Sequence, residues 1–189
     1  MDAIPIIDAH FHFWDHGAGR HPWLAGTGDK DFFLGDYSAL RRDYLPADYW
    51  RDAGDLPVVK LVHCEAEWDR DDQVGETAWL THLHATTGWP SALVGHAWLD
   101  DPALDTILAG HCQSPLMRGI RSKPVTAPRA DAAAPDGPRS LADPAWRRGY
   151  ARGAAASTVR TQNCGDLKGV SHPVSYRIGP GRNYLCHCQ

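Results

Sequence analysis

Four short runs of nearly continuous apolar residues punctuate the chain, and helical spacing fills most of the gaps between them. The first run, Ile4-Pro5-Ile6-Ile7-Asp8-Ala9-His10-Phe11-His12, has strand length and ends in two histidines one residue apart. The second runs from Pro57 to Glu65, the third from Ser91 to Leu99, and a shorter fourth from Leu116 to Arg121. Runs without polar alternation suit parallel strands covered on both faces. Between the second and third, Thr77 to Thr87 predicts a helix with Trp79, Leu80 and Leu83 on one face and Gly88 after its end. Asp100 or Asp101 predicts the cap of the next helix, with Pro102 in its first turn and Leu104, Ile107 and Leu108 as its buried stripe. Further helices are expected over Tyr37 to Asp43, from Pro46 to about Ala53, and from Asp143 to about Arg152. Residues 13–36 read as a long ordered loop packed through Phe13, Trp14, Trp23, Phe32 and Phe33. Lys123 to Pro138 reads as a loop rich in Pro, Ala and Asp.

Strand alternating with helix argues for a parallel α/β sheet with right-handed crossovers. In a (β/α)8 barrel the chemistry sits at the carboxyl ends of the strands. The polar candidates fall there: His10 and His12, His63 and Glu65, His96 and Trp98, and Arg121.

Charge and composition narrow the function classes. The 189 residues are 43% hydrophobic and carry a net charge of −4, which gives no reason to expect nucleic-acid binding. No apolar run is long enough to span a bilayer, and Met-Asp-Ala-Ile-Pro lacks the features of a signal peptide. Five cysteines, an odd number without a secretory signal, argue against a disulfide framework. The expectation is a cytoplasmic protein without membrane or nucleic-acid partners. The charge is uneven: Arg152, Arg160, Lys168, Arg177 and Arg182 against Asp166 make residues 151–189 +4, so residues 1–150 carry −8. All eight tryptophans lie between Trp14 and Trp146, whereas Cys164, Cys186 and Cys188 sit in the tail. This asymmetry divides the chain into residues 1–152 and a tail, 153–189, of foreign composition.

A His-x-His pair is weak evidence by itself, since roughly 0.6 such pairs are expected from eleven histidines. A second pair, His82-Leu83-His84, serves as a control: on a helix, residues two apart diverge by about 200°. On a strand they share a face, so His10 and His12 converge and are usable as two ligands of one divalent metal. Backbone-bonded, partly buried histidines are the equal alternative. Glu65 is a candidate for binding substrate hydroxyls or orienting a ligand, against an ordinary loop carboxylate. His96 either faces the barrel axis or is a satisfied core histidine. Arg121 shares a face with Gly119, which leaves it room for bidentate capture of a carboxylate; a rim salt bridge is the alternative. Cys164, Cys186, His187 and Cys188 lack the spacing of structural zinc sites.

Ile7-Asp8-Ala9-His10-Phe11-His12-Phe13-Trp14-Asp15, Tyr44-Leu45-Pro46-Ala47-Asp48, Val62-His63-Cys64-Glu65-Ala66, Gly95-His96-Ala97-Trp98-Leu99-Asp100 and Arg118-Gly119-Ile120-Arg121 together resemble the amidohydrolase-related family of TIM-barrel hydrolases, which includes lactonases. The resemblance spans residues 4–152. It implies a (β/α)8 barrel and hydrolysis of a small lactone or related carboxylate-bearing substrate. His10 and His12 match the first-strand pair that binds a divalent metal, zinc foremost, in many members, while some lactonases of the family work without metal. Arg121 matches a substrate-holding arginine at the end of strand four, and Glu65 and His96 match strand-end positions of varying role.

A barrel needs at least about 200 residues, and only four strand–helix units are legible here. The expected fold is therefore a partial barrel with an irregular tail, and the change of composition at residues 153–189 points to a shifted reading frame or a foreign C-terminus. The water-activating aspartate of strand eight has no candidate, so no catalytic base is assigned. Two readings follow. One is a hydrolase by lineage. The other is an inactive fragment that acts, if at all, by association through its exposed barrel edges.

Overall fold

A computed structural model of the chain describes residues 4–25, 36–125, 133 and 135–160, the last seven of these as backbone. Four parallel strands form one sheet in the order β1 (Ile6–Phe11), β2 (Val58–Cys64), β3 (Ala92–His96), β4 (Met117–Arg121). The helices are α1 (Pro46–Ala53), α2 (Gly75–Thr87), α3 (Leu104–His111) and α4 (Pro144–Arg160). Each follows the strand before it, the arrangement of successive units of a partial (β/α)8 barrel.

Local chemistry explains where these elements start and stop. Pro46 opens α1, and Asp48 Oδ2 reaches back to the Leu45 amide at 3.0 Å, satisfying a donor that the helix cannot. Gly88, at φ +81°, closes α2 in the left-handed conformation. Asp143 caps α4 by accepting the Ala145 amide at 2.7 Å.

Three expectations are corrected. Tyr37 to Asp43 is one 3-10 turn, Ser38–Leu40, rather than a helix. The third helix begins at Leu104, because Asp101 Oδ1 takes the Ala103 amide at 2.7 Å and holds residues 101–103 as a turn before it. The strands are also shorter than the apolar runs, so His12, Glu65 and Trp98 stand just past strand ends. In addition, α4 continues through Arg160, past the expected boundary at residue 152. The proposed tail otherwise lies outside the described residues, as do Phe32 and Phe33 of the long loop.

Phe11, Phe13, Tyr49, Leu61, Leu80, Leu93 and Leu116 form the main core, between the outer face of the sheet and the helices. A second cluster, Ala97, Leu99, Leu104 and Trp146, seats α4. The described start of the long loop is anchored: Phe13 and Trp14 are buried, and Trp14 pairs with Tyr44 in an antiparallel bridge. Among the described residues no helix is long and apolar enough to cross a membrane.

Candidate functional site

The predicted site residues converge at the carboxyl ends of the four strands. The rings of His10 and His12 lie 5.0 Å apart, edge to face. His12 Nδ1 donates to the Cys64 carbonyl at 2.8 Å, which places the proton on Nδ1 and leaves the Nε2 lone pair without a partner among the described residues. His10 Nε2 accepts from Arg121 Nη1 at 3.5 Å. Burial, then the neighbouring His63, presses His12 down to about 4. Burial and Arg121 lower His10 as well. Both imidazoles are thus neutral near pH 7, fit to accept hydrogen bonds rather than to carry charge. The control pair behaves as helix surface: His82 is exposed and His84 bonds the Pro90 carbonyl.

Glu65 and Arg121 are brought together. Arg121 donates from Nε to Glu65 Oε1 at 2.7 Å and from Nη2 to the Glu65 carbonyl at 2.6 Å. Glu65 is fully buried; its Oε2 accepts Arg70 Nη1 at 3.3 Å and the Glu67 amide at 3.1 Å, and Lys123 Nζ lies 3.7 Å from Oε1. Both oxygens of Glu65 are engaged, so its geometry is that of an anchor for Arg121. The Cβ of any residue at Gly119 would meet open space, in keeping with the room expected beside Arg121.

His96 is buried with its ring 4.7 Å from that of Trp98. Its ring nitrogens have no well-formed hydrogen bond among the described residues, the Arg121 backbone being near enough to favour protonation weakly. Burial, reinforced by Arg70, nevertheless drives it down to about 3.

Three groups escaped the reading of the sequence. Arg70 and Arg139 stack their guanidiniums over Trp98, at 5.3 and 4.3 Å from the ring centre. Neither lies on a strand, so no periodicity marks it. Glu76, on the buried side of α2, accepts the Ala66 amide at 2.8 Å and lies 3.3 Å from His63 Nε2 and 3.8 Å from His21 Nε2. His63 in turn accepts the Phe13 amide at 3.0 Å. This buried group fixes the turn that carries His12, and its one sequence signal is an acid on a helix face that should be apolar.

Whether these residues suit a metal can be tested on the donor set. His12 has the form of a ligand, with one nitrogen backed by a carbonyl and the other bare. Zinc takes three or four protein ligands, however, and among the described residues no group of three His, Cys, Asp or Glu side chains could hold a metal ion. The described residues therefore do not make up a metal centre by themselves.

No family model matches the chain. It is 35% identical over 150 residues to the uncharacterized protein y4mH of Sinorhizobium fredii (strain NBRC 101917 / NGR234), a match covering 79% of this chain and 50% of that protein. Among solved structures it is similar to an amidohydrolase from Burkholderia multivorans crystallised with bound HEPES, with 26% identity and a TM-score of 0.55, covering 82% of this chain and 46% of the other. A second crystal form of that amidohydrolase, with bound zinc, matches equally well over 47% of its length. The chain has an amidohydrolase-like fold and spans about half the length of the proteins it matches.

Proposed function

We propose that the chain carries the substrate-polarising half of a hydrolase site of the amidohydrolase type, acting on a small lactone or related carboxylate-bearing substrate. The observation that carries this reading is a pair of neutral imidazoles, His10 and His12, with rings 5.0 Å apart, the first of which meets the Arg121 guanidinium, Nη1 to His10 Nε2 at 3.5 Å. A carbonyl oxygen entering this mouth would meet a fixed cation, and the negative charge that builds on it during water attack would be stabilised in place. The Nε2 atom of His12 would hold the attacking water by accepting a hydrogen bond from it, while His10 Nε2 stays with Arg121 Nη1. Glu65 acts through Arg121 as a positioning residue, because it fixes the plane of the guanidinium.

The test is hydrolysis of simple γ- and δ-lactones followed by proton release. The expected result is activity that disappears in the His10→Ala, His12→Ala double variant. Equal rates for both proteins would sink the proposal. Divalent-metal binding at the same two histidines, with zinc as the first ion to try, is the companion proposal. Retention of zinc after gel filtration by the wild type, and its loss in the double variant, would support it; equal retention would remove it.

A second reading, an inactive partial barrel that associates through its edges, is favoured by one observation. Ile6 and Ile7 on β1 and Val59 on β2 are large apolar residues left 37%, 60% and 46% exposed. It is supported if sedimentation shows concentration-dependent association that Ile7→Lys weakens, and if no lactone is turned over.

A further inference from the structure

Beyond the His10–Arg121 centre, the mouth has a second set of charges whose balance is uneven. Arg70, Arg121, Lys123 and Arg139 surround Glu65, Glu67 and Asp100. Among the described residues, four cations against three carboxylates leave one positive charge unmatched. Asp143 is engaged by the Arg139 and Ala145 amides at the start of α4.

The unmatched charge can be located. Arg70 is held by Glu65 and Glu67, Arg121 by Glu65, and Lys123 by Glu67. Arg139 makes a single-pronged contact, from Nε to Asp100 Oδ2 at 3.0 Å, and no described residue accepts from its Nη1 or Nη2. Its guanidinium lies over Trp98, 4.3 Å from the ring centre, a stacking that holds a planar cation without using its N–H groups. At the edge of the same indole stands His96, 3% exposed, with ring nitrogens lacking a well-formed partner among the described residues.

The backbone is bent to put Arg139 there. It sits at φ +63°, in the left-handed region that side chains other than glycine rarely adopt. Its amide is tied to Asp143 Oδ2 at 2.8 Å and its carbonyl to the Val125 amide at 2.9 Å. Strain of this kind, held in place from both sides, is typical of ligand clamps.

We propose that Arg139, laid across Trp98, is the specificity-determining arm of the mouth and binds one carboxylate group of the substrate through its free Nη1 and Nη2 atoms. This rests on the reading of the mouth as a substrate site and narrows the substrate to a monoanion. A planar guanidinium presenting two parallel N–H groups matches a carboxylate and discriminates against its neutral ester.

The test is calorimetric titration of the full chain with 5-oxotetrahydrofuran-2-carboxylate, a γ-lactone with one carboxylate, and with its methyl ester. The wild type is expected to bind the acid about tenfold or more tightly than the ester. Arg139→Gly should abolish that preference by weakening the acid to the level of the ester. It should also keep or raise the unfolding midpoint, because glycine accepts φ +63° without strain. Arg139→Lys, which keeps the charge and loses the fork, should fall between. Equal wild-type binding of acid and ester, binding of neither, or equal weakening of both by Arg139→Gly would overturn the proposal. Proton release followed in the same samples separates the two readings. Turnover without preference for the acid removes the role of Arg139 alone, and preference without turnover removes hydrolysis alone.

Discussion

Arg121 and Glu65 are locked to each other at the carboxyl end of the sheet, with Nε 2.7 Å from Oε1 and Nη2 2.6 Å from the Glu65 carbonyl. One residue ends β4 and the other follows β2, so this pair ties the strands across β3 and aims the remaining edge of the guanidinium at His10.

That geometry makes the pair costly to break singly and cheap to replace whole. Glu65→Met and Arg121→Met should each lose about 2–4 kcal/mol of stability in urea denaturation, since each leaves a desolvated charge without its main partner. The double variant should lose clearly less than the sum. Additive losses would show that the two residues are energetically independent.

Glu76 should govern acid stability. Burial raises its carboxyl pKa, but contacts with His21, His63 and the Ala66 amide outweigh this and hold it well below the usual carboxylate range. A depressed carboxylate stabilises the fold above its unfolded value of about 4.3, and that stability is lost as pH falls below it. Glu76→Gln should therefore lower the melting temperature at neutral pH and flatten its fall between about pH 5 and 3. A variant whose melting curve keeps the wild-type slope would refute this.

His12 and His96 act earlier on the same descent. Their pKa values are pressed to about 4 and about 3, so the unfolded chain binds protons that the fold refuses. Stability is complete above the unfolded histidine value of about 6.5 and declines as pH drops through it. His96→Phe, which cannot bind a proton, should flatten the decline between about pH 6.5 and 4 in thermal melts. An unchanged slope would mean that His96 titrates normally in the fold.

Helix propensity and packing make opposite predictions at Gly149. Alanine in a helix interior is favoured over glycine by about 1 kcal/mol. Here an added Cβ would lie 1.7 Å from the Leu99 carbonyl oxygen, so α4 would have to lift off the turn after β3. Gly149→Ala should destabilise by about 2 kcal/mol or more, because a backbone neighbour cannot swing aside. A gain in stability would show that α4 does not seat on Leu99.

Much of the fold was legible because it is written in local patterns. Apolar runs ending in polar residues marked four strands, and Gly88, Pro46 and Asp143 marked helix ends, since capping and left-handed φ are decided within a few residues. The convergence of His10 and His12, and the divergence of His82 and His84, also follow from strand and helix periodicity. The extents were less legible. A strand ends where its neighbour stops pairing, and no run of residues states that.

What the sequence by itself determined is the parallel α/β order and the presence of His10, His12, Glu65, His96 and Arg121 at strand ends, because both depend on periodicities of two and of about 3.6 residues. Only the tertiary structure decided how those side chains divide their bonds. It turned Glu65 from a free ligand candidate into the buried counter-ion of Arg121, gathered Glu76, His63 and His21 behind the first-strand turn, and brought Arg70 and Arg139 onto Trp98. Coulomb forces and burial act through space, between residues as far apart in the chain as 65 and 121. Pairing of that range becomes visible once the strands lie side by side.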